Sequence, residues 1–259
     1  MTGELVPRGS SEVARREDVG ALVGRLSEEG LGRRERGRLL GRLTSALAAS
    51  LRAAGGRAAL SGRYLVDVVS DVAPHLPVRD LATLQAHHEG LAGEALGEAL
   101  VAAASRSTAA VGAAGGALTA AEMVAPPSLL AAPVQLVAET VAVVAVELKL
   151  VAELHVAFGR EAPGTGAQQT AAYLTAWAAR RGVDVEEGGG AINAVLGTAA
   201  RQQLRARLVR RLGRNVTTLA PFLAGAVAGA ELNRRETRVL GDTLLRDLSV
   251  PPARRALRG

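Results

Sequence analysis

Residues 133–158 read PVQLVAETVAVVAVELKLVAELHVAF, and the reading of this stretch decides the fold. Val141, Val143, Val144 and Val146 have the β-branched richness of a strand. The length of the run and the spacing of Leu148, Val151 and Leu154 instead predict a helix, since residues three apart share one helical face. Upstream, Ser107–Val146 carries only Glu122 and Glu139 as charges, with Pro126-Pro127 near its middle. That pattern predicts a buried helical hairpin. A short membrane-inserted hairpin is the alternative, although no uncharged apolar run reaches the ~20 residues of a spanning helix.

Working outward from this centre, periodicity predicts helices on both sides. Before it lie Glu12–Glu29, Leu31–Ala54, Arg57–Ala73, Arg79–Ser105 and the Gly/Ala segment Ser107–Met123. Leu39, Leu43, Leu47 and Leu51 repeat every four residues in the second of these, with Arg33, Arg34, Arg36, Arg38 and Arg42 marking its N-terminal part. After the central helix come Gln168–Arg181, the basic Ala191–Gly213, the Gly/Ala segment Val216–Ala230 with Pro221, and Asn233–Leu248. Loops fall at Gly159–Gly166 and Gly182–Gly190. The expectation is an all-α fold, a compact multi-helix domain of about ten helices with Gly/Ala-rich close-packed segments.

Composition agrees. Of 259 residues, 48% are hydrophobic but only 2% aromatic, so the core is built from Ala, Leu and Val, which favours close helix–helix packing. There is no cysteine, which removes disulfides, thiolate metal sites and a cysteine nucleophile. Lys149 is the single lysine; the other basic residues are arginine, and the net charge is a modest +6. Leu5–Ser10 reads LVPRGS, a sequence cleaved by thrombin, so residues 1–10 are set apart as a flexible tail. Met1–Asp18 has no apolar run of the signal-peptide kind.

Chemistry-bearing patterns are sparse. His87 and His88 point about 100° apart on a helix, and His155 follows Glu153 by two residues rather than three, so no metal site is expected. A P-loop needs Gly-Lys-Ser/Thr, whereas Lys149 lies between two leucines. No nucleophile–base pair stands out, no cofactor is expected, and catalysis is disfavoured. Glu122, Glu139, Glu147 and Glu153 lie within the apolar stretch and are expected on solvent-facing stripes, with Lys149–Glu153 an i, i+4 pair. Glu122 and Glu139 are the two to test for burial, because a buried carboxylate can serve as acid or base.

The most distinctive feature is a basic helix. No acidic residue occurs between Glu187 and Glu231, and that interval contains Arg201, Arg205, Arg207, Arg210, Arg211 and Arg214. Arg207, Arg210, Arg211 and Arg214 share one face, and Leu204, Leu208 and Leu212 another. A basic amphipathic helix is the signature of an anionic membrane surface or an acidic partner. Nucleic acid is disfavoured, because no aromatic side chain lies near the arginines for base stacking. Gly112–Gly116 and Gly225–Gly229 are G-x-x-x-G pairs that let helix backbones approach.

The stretch 215–233, NVTTLAPFLAGAVAGAELN, followed by Thr237 and Gly241, resembles the ending of the EcsC family. There a basic helix leads into a Pro-containing Gly/Ala segment, then an Asn, a Thr and a Gly. Ser107–Gly116, the apolar helix and Ala157-Phe158-Gly159 resemble its middle. The likeness spans roughly residues 80–248, and its matching positions are Gly112, Gly116, Pro221, Gly225, Gly229, Asn233, Thr237 and Gly241. One departure is Val134-Gln135 after Pro133, where the family pattern has an acid. The resemblance implies a helical, membrane-associated bacterial protein, with no activity or cofactor attached.

The domain expectation is an N-terminal helical extension over 11–78, an EcsC-like domain over 79–248 and a basic tail over 249–259. The leading functional expectation is a non-enzymatic protein bound peripherally to an anionic membrane surface or a membrane protein, in the cytoplasm at the inner face of the membrane. The alternatives are a soluble protein with an apolar ligand pocket, enzymatic through a buried carboxylate, and a homo-oligomeric interaction scaffold.

Overall fold

A computed structural model describes residues 18–54, 68–69, 71–122, 131–164, 167–180 and 223–250. They form helices α1 (residues 18–26), α2 (Arg33–Ala54), a 3-10 turn (Ala73–His75), α3 (Leu81–His87), α4 (Gly93–Glu122), α5 (Ala131–Ala157), α6 (Ala167–Arg180) and α7 (Leu223–Ser249). There is no strand among these residues. The strand-like valines of the central stretch are helical. β-Branched residues cost at most about 0.7 kcal/mol each in a helix, whereas burying a Val or Leu side chain gains roughly 1.5–3 kcal/mol. Burial wins: every residue from Thr140 to Leu154 on α5 is buried.

α5 is buried over this stretch because α2, α3, α4, α6 and α7 all pack against it. Leu39, Leu40, Leu43 and Leu47 of α2, Leu96, Leu100 and Val111 of α4, Leu174 and Trp177 of α6, and Leu240 and Leu244 of α7 join the α5 valines in one continuous core. No helix among the described residues is long and apolar enough to cross a membrane.

Three helix boundaries differ from the sequence expectation. The helix expected over Arg79–Ser105 is broken between α3 and α4. Asp80 caps the start of α3, its Oδ1 accepting from the Thr83 amide at 2.8 Å. Glu89 at φ 55° and Gly90 at φ 79° take the left-handed turn that ends it, and the Gly90 amide returns to the Gln85 carbonyl at 2.8 Å. α4 then runs without a break through Ser105-Arg106-Ser107, where a helix end was expected. The Thr108 hydroxyl bonds back to the Ser105 carbonyl, so this polar triplet leaves the ladder intact. Likewise the two segments expected to meet near Glu231 form the single helix α7. The helices expected over Ala191–Gly213 and the first part of Val216–Ala230 lie outside the described residues.

Candidate functional site

α4 and α7 are antiparallel and make the most extensive pairing among the described helices. The residues between them are small. A Cβ added at Gly112 would lie 2.7 Å from both the Gly229 carbonyl oxygen and the Asn233 amide nitrogen, and one at Gly241 would lie 2.5 Å from Val101. Asn233 and Thr237 are buried in the same seam. Asn233 Nδ2 donates to the Thr108 carbonyl at 3.2 Å, and Thr237 Oγ1 donates to Glu147 at 3.0 Å. Gly112, Gly229, Asn233, Thr237 and Gly241 therefore come together as a helix-packing seam. Gly116 is half-buried one turn beyond it, and Gly225 falls in the first turn of α7. Pro221 lies outside the described residues.

Glu147, Lys149 and Glu153 overturn the expectation of solvent-facing stripes: each is at most 5% exposed. α5 has no solvent-facing side here, so its charges are satisfied internally. Glu147 accepts from Thr237 of α7 and, at 2.9 Å, from Trp177 Nε1 of α6. The Arg79 guanidinium grips both oxygens of Glu153 at 2.8 Å and reaches Glu29 at 2.6 Å. Lys149 pairs with Glu153 as its spacing predicts, and also donates to the Pro77 carbonyl at 2.8 Å. Burial pushes the Lys149 ammonium below its usual value, against the pull of Glu153. Burial pushes Glu29 up, but the hydrogen bond and charge of Arg79, with the charges of His88 and Lys149, hold its carboxyl below the usual range. This cluster fastens the 77–80 connection and the turn after α1 to α5.

Glu139 is half-buried where α4 crosses α5. It lies against Gly115, which has no room for a side chain, and accepts from Gln135 Nε2 at 3.1 Å. Gln135 also donates to the Gly115 carbonyl at 2.6 Å. Glu122 is the last residue of α4, and its side chain lies outside the described residues.

Arg201, Arg205, Arg207, Arg210, Arg211 and Arg214 all lie outside the described residues. A second basic helix does not. On α2 the leucines face inward, and Arg34, Arg38 and Arg42, four apart, form the opposite stripe. All three are exposed, and none has an acidic partner among the described residues. Glu35 beside them is occupied by Arg25 at 2.5 Å. Arg36, by contrast, turns inward: it is 2% exposed and donates to the Leu26 carbonyl at the end of α1 at 2.8 Å.

Next to the seam is an open trough of about 530 Å³. α4 contributes Arg106, Ala109, Ala110 and Ala113 at i, i+3, i+4 and i+7. α7 contributes Val227, Ala230, Glu231 and Arg234 at the same spacing, and Arg33 of α2 completes the lining. Because the helices are antiparallel, Arg106 faces the Arg234 end and Ala113 the Val227 end. Arg234 is committed to Glu231, at 2.9 and 3.0 Å. Arg33 and Arg106 are exposed and have no acidic partner among the described residues.

Comparison with protein-family models, curated proteins and solved structures finds no match for the chain.

The α2 stripe was present in the sequence as a four-residue repeat opposite the leucines, but the acid-free interval after Glu187 was the stronger signal. The trough was not legible there, because it depends on pairing residues about 125 positions apart.

Proposed function

We propose that the protein is a non-enzymatic, peripheral membrane-binding protein that docks on an anionic lipid surface, in the cytoplasm at the inner face of the membrane. The observation that carries this reading is the α2 stripe of Arg34, Arg38 and Arg42. An amphipathic helix whose leucines are committed to the protein core has only its charged side to offer a partner. Each arginine near an anionic bilayer contributes about 1 kcal/mol, so three supply a weak, salt-sensitive attachment to which Arg201–Arg214 would add. Kinship with the EcsC family is part of the proposal and rests on the residues of 215–241 quoted above; a whole chain of about ten helices with close-packed Gly/Ala segments is part of it too and rests on the helical periodicity along the chain.

Liposome flotation tests it. The protein is expected to float with anionic vesicles at low salt, to stay down with neutral vesicles, and to be released as salt rises, since exposed charges are screened over ~8 Å at physiological ionic strength. The triple change R34E/R38E/R42E is expected to weaken flotation by at least tenfold. Flotation that is absent, or indifferent to both salt and the triple change, overturns the reading.

A further inference from the structure

We infer that the trough between α4 and α7 seats one anionic lipid molecule drawn from the membrane, its headgroup at Arg33 and Arg106 and its chain along the alanines toward Val227. This deepens the proposed membrane association and rests on it for the source of the lipid, but it uses different residues. Three observations support it.

The first is charge. Arg234 and Glu231 neutralise each other on the α7 wall, leaving Arg33 and Arg106 as positive charges without an acidic partner among the described residues. An anionic ligand is therefore favoured over a neutral or cationic one. The second is polarity along the axis. Arg106 and Arg234 lie at one end, while Ala113 and Val227 lie at the other. An amphiphile with one charged head and one apolar chain matches that gradient. An acidic amphipathic helix, with carboxylates spread along its flank, does not. The third is Val227, which is 68% exposed, the most exposed large hydrophobic residue among those described. It stands where a chain leaving the headgroup end would run.

Size agrees with a single molecule. Small-ligand sites are commonly about 300–1,000 Å³, and the trough holds about 530 Å³. Each stripe runs over eight residues and spans about 10 Å at the helical rise, enough to cover the upper part of an acyl chain and leave the rest in the bilayer. The floor is lined by alanines, and α4 and α7 approach closely beside it at Gly112 and Gly229.

The test uses dodecyl phosphate as a monomeric probe, below its micelle concentration, titrated into the full-length protein by calorimetry. Dodecyl maltoside is the neutral-headed control. Saturable binding of the phosphate, with binding of the maltoside at least tenfold weaker, is expected. R106E and R33E, both at exposed positions, are each expected to lose at least fivefold. A110W, which fills the floor, is expected to abolish binding, with helicity checked by circular dichroism. If A110W unfolds, the two arginine variants still decide the matter. R34E/R38E/R42E is expected to bind the probe like the parent, so failure of vesicle docking and failure of the trough are read separately. Equal affinity for the neutral detergent, indifference to R106E and R33E, or selective binding of an acidic amphipathic peptide in place of the phosphate would each overturn the inference.

Discussion

The α4–α7 seam and the cluster around Glu153 both fasten helices into one core, by opposite means. At the seam side chains are removed: Gly112 meets Gly229 backbone to backbone, and beside them the buried, neutral Asn233 and Thr108 bond to each other's main chain. Around Glu153 the side chains are long and charged, and Arg79, Lys149 and Glu29 reach across the gaps between elements. A neutral seam depends on shape, and small changes of volume damage it. A charged cluster depends on pairing, and it fails when one partner is lost. The difference is testable one residue at a time.

The largest effect is expected at Glu153. Glu153→Ala leaves Arg79 and Lys149 facing each other with only Glu29 nearby, and removing one partner of a buried pair typically costs about 3–5 kcal/mol. Urea unfolding reads this directly. A loss below about 1 kcal/mol would mean that water replaces the carboxylate and that the cluster is not a fastening. Arg34→Ala on the outward face of α2 is the control, expected to stay within about 0.5 kcal/mol of the parent.

Glycines sharpen the other half of the comparison. Gly112→Ala places a Cβ against the α7 backbone, where neither helix can yield by a rotamer change. Overpacking costs about 1–3 kcal/mol, more than the roughly 1 kcal/mol that alanine gains over glycine in a helix, so the net effect is destabilising. Gly41→Ala on α2 has open space around it and is expected to stabilise by up to about 1 kcal/mol. Thermal melts of the two variants should move in opposite directions. A shift of the same sign in both would show that helix propensity, not the seam, governs these positions.

How much of this was legible in the sequence follows the same division. The helical class and the core leucines of α2 and α7 were readable because a four-residue repeat is a local signal. Glu147 and Glu153 were misread, since a charge in an apolar run ordinarily marks the solvent side. That rule fails for a helix surrounded on all sides, whose charges must find partners on α6, α7 and the 77–80 connection. The break at Gly90 was missed for a related reason: apolar spacing continues across it, while the turn depends on a left-handed backbone. The seam residues drew notice through a family resemblance, but their packing role and the trough beside them depend on the register of two distant segments.

pH separates the two fastenings with the smallest expected effect. Burial alone would raise the Glu29 carboxyl, but Arg79, His88 and Lys149 outweigh it and hold the group below 4.5. A carboxyl depressed in the folded state contributes stability that is complete above 4.5 and is lost as pH falls through the folded value. Glu29→Gln is therefore expected to be less stable than the parent at pH 5.5, by about 1 kcal/mol or less for a partly exposed group, with the gap narrowing toward pH 3. Denaturant midpoints of both proteins at the two pH values measure it. Gly112→Ala should keep a constant offset over the same range, because the groups bonded at the seam beside it, Asn233 and Thr108, do not ionise. A gap at Glu29 that stays constant or widens on acidification would mean that Arg79 holds it no more tightly in the folded protein than water does in the unfolded chain.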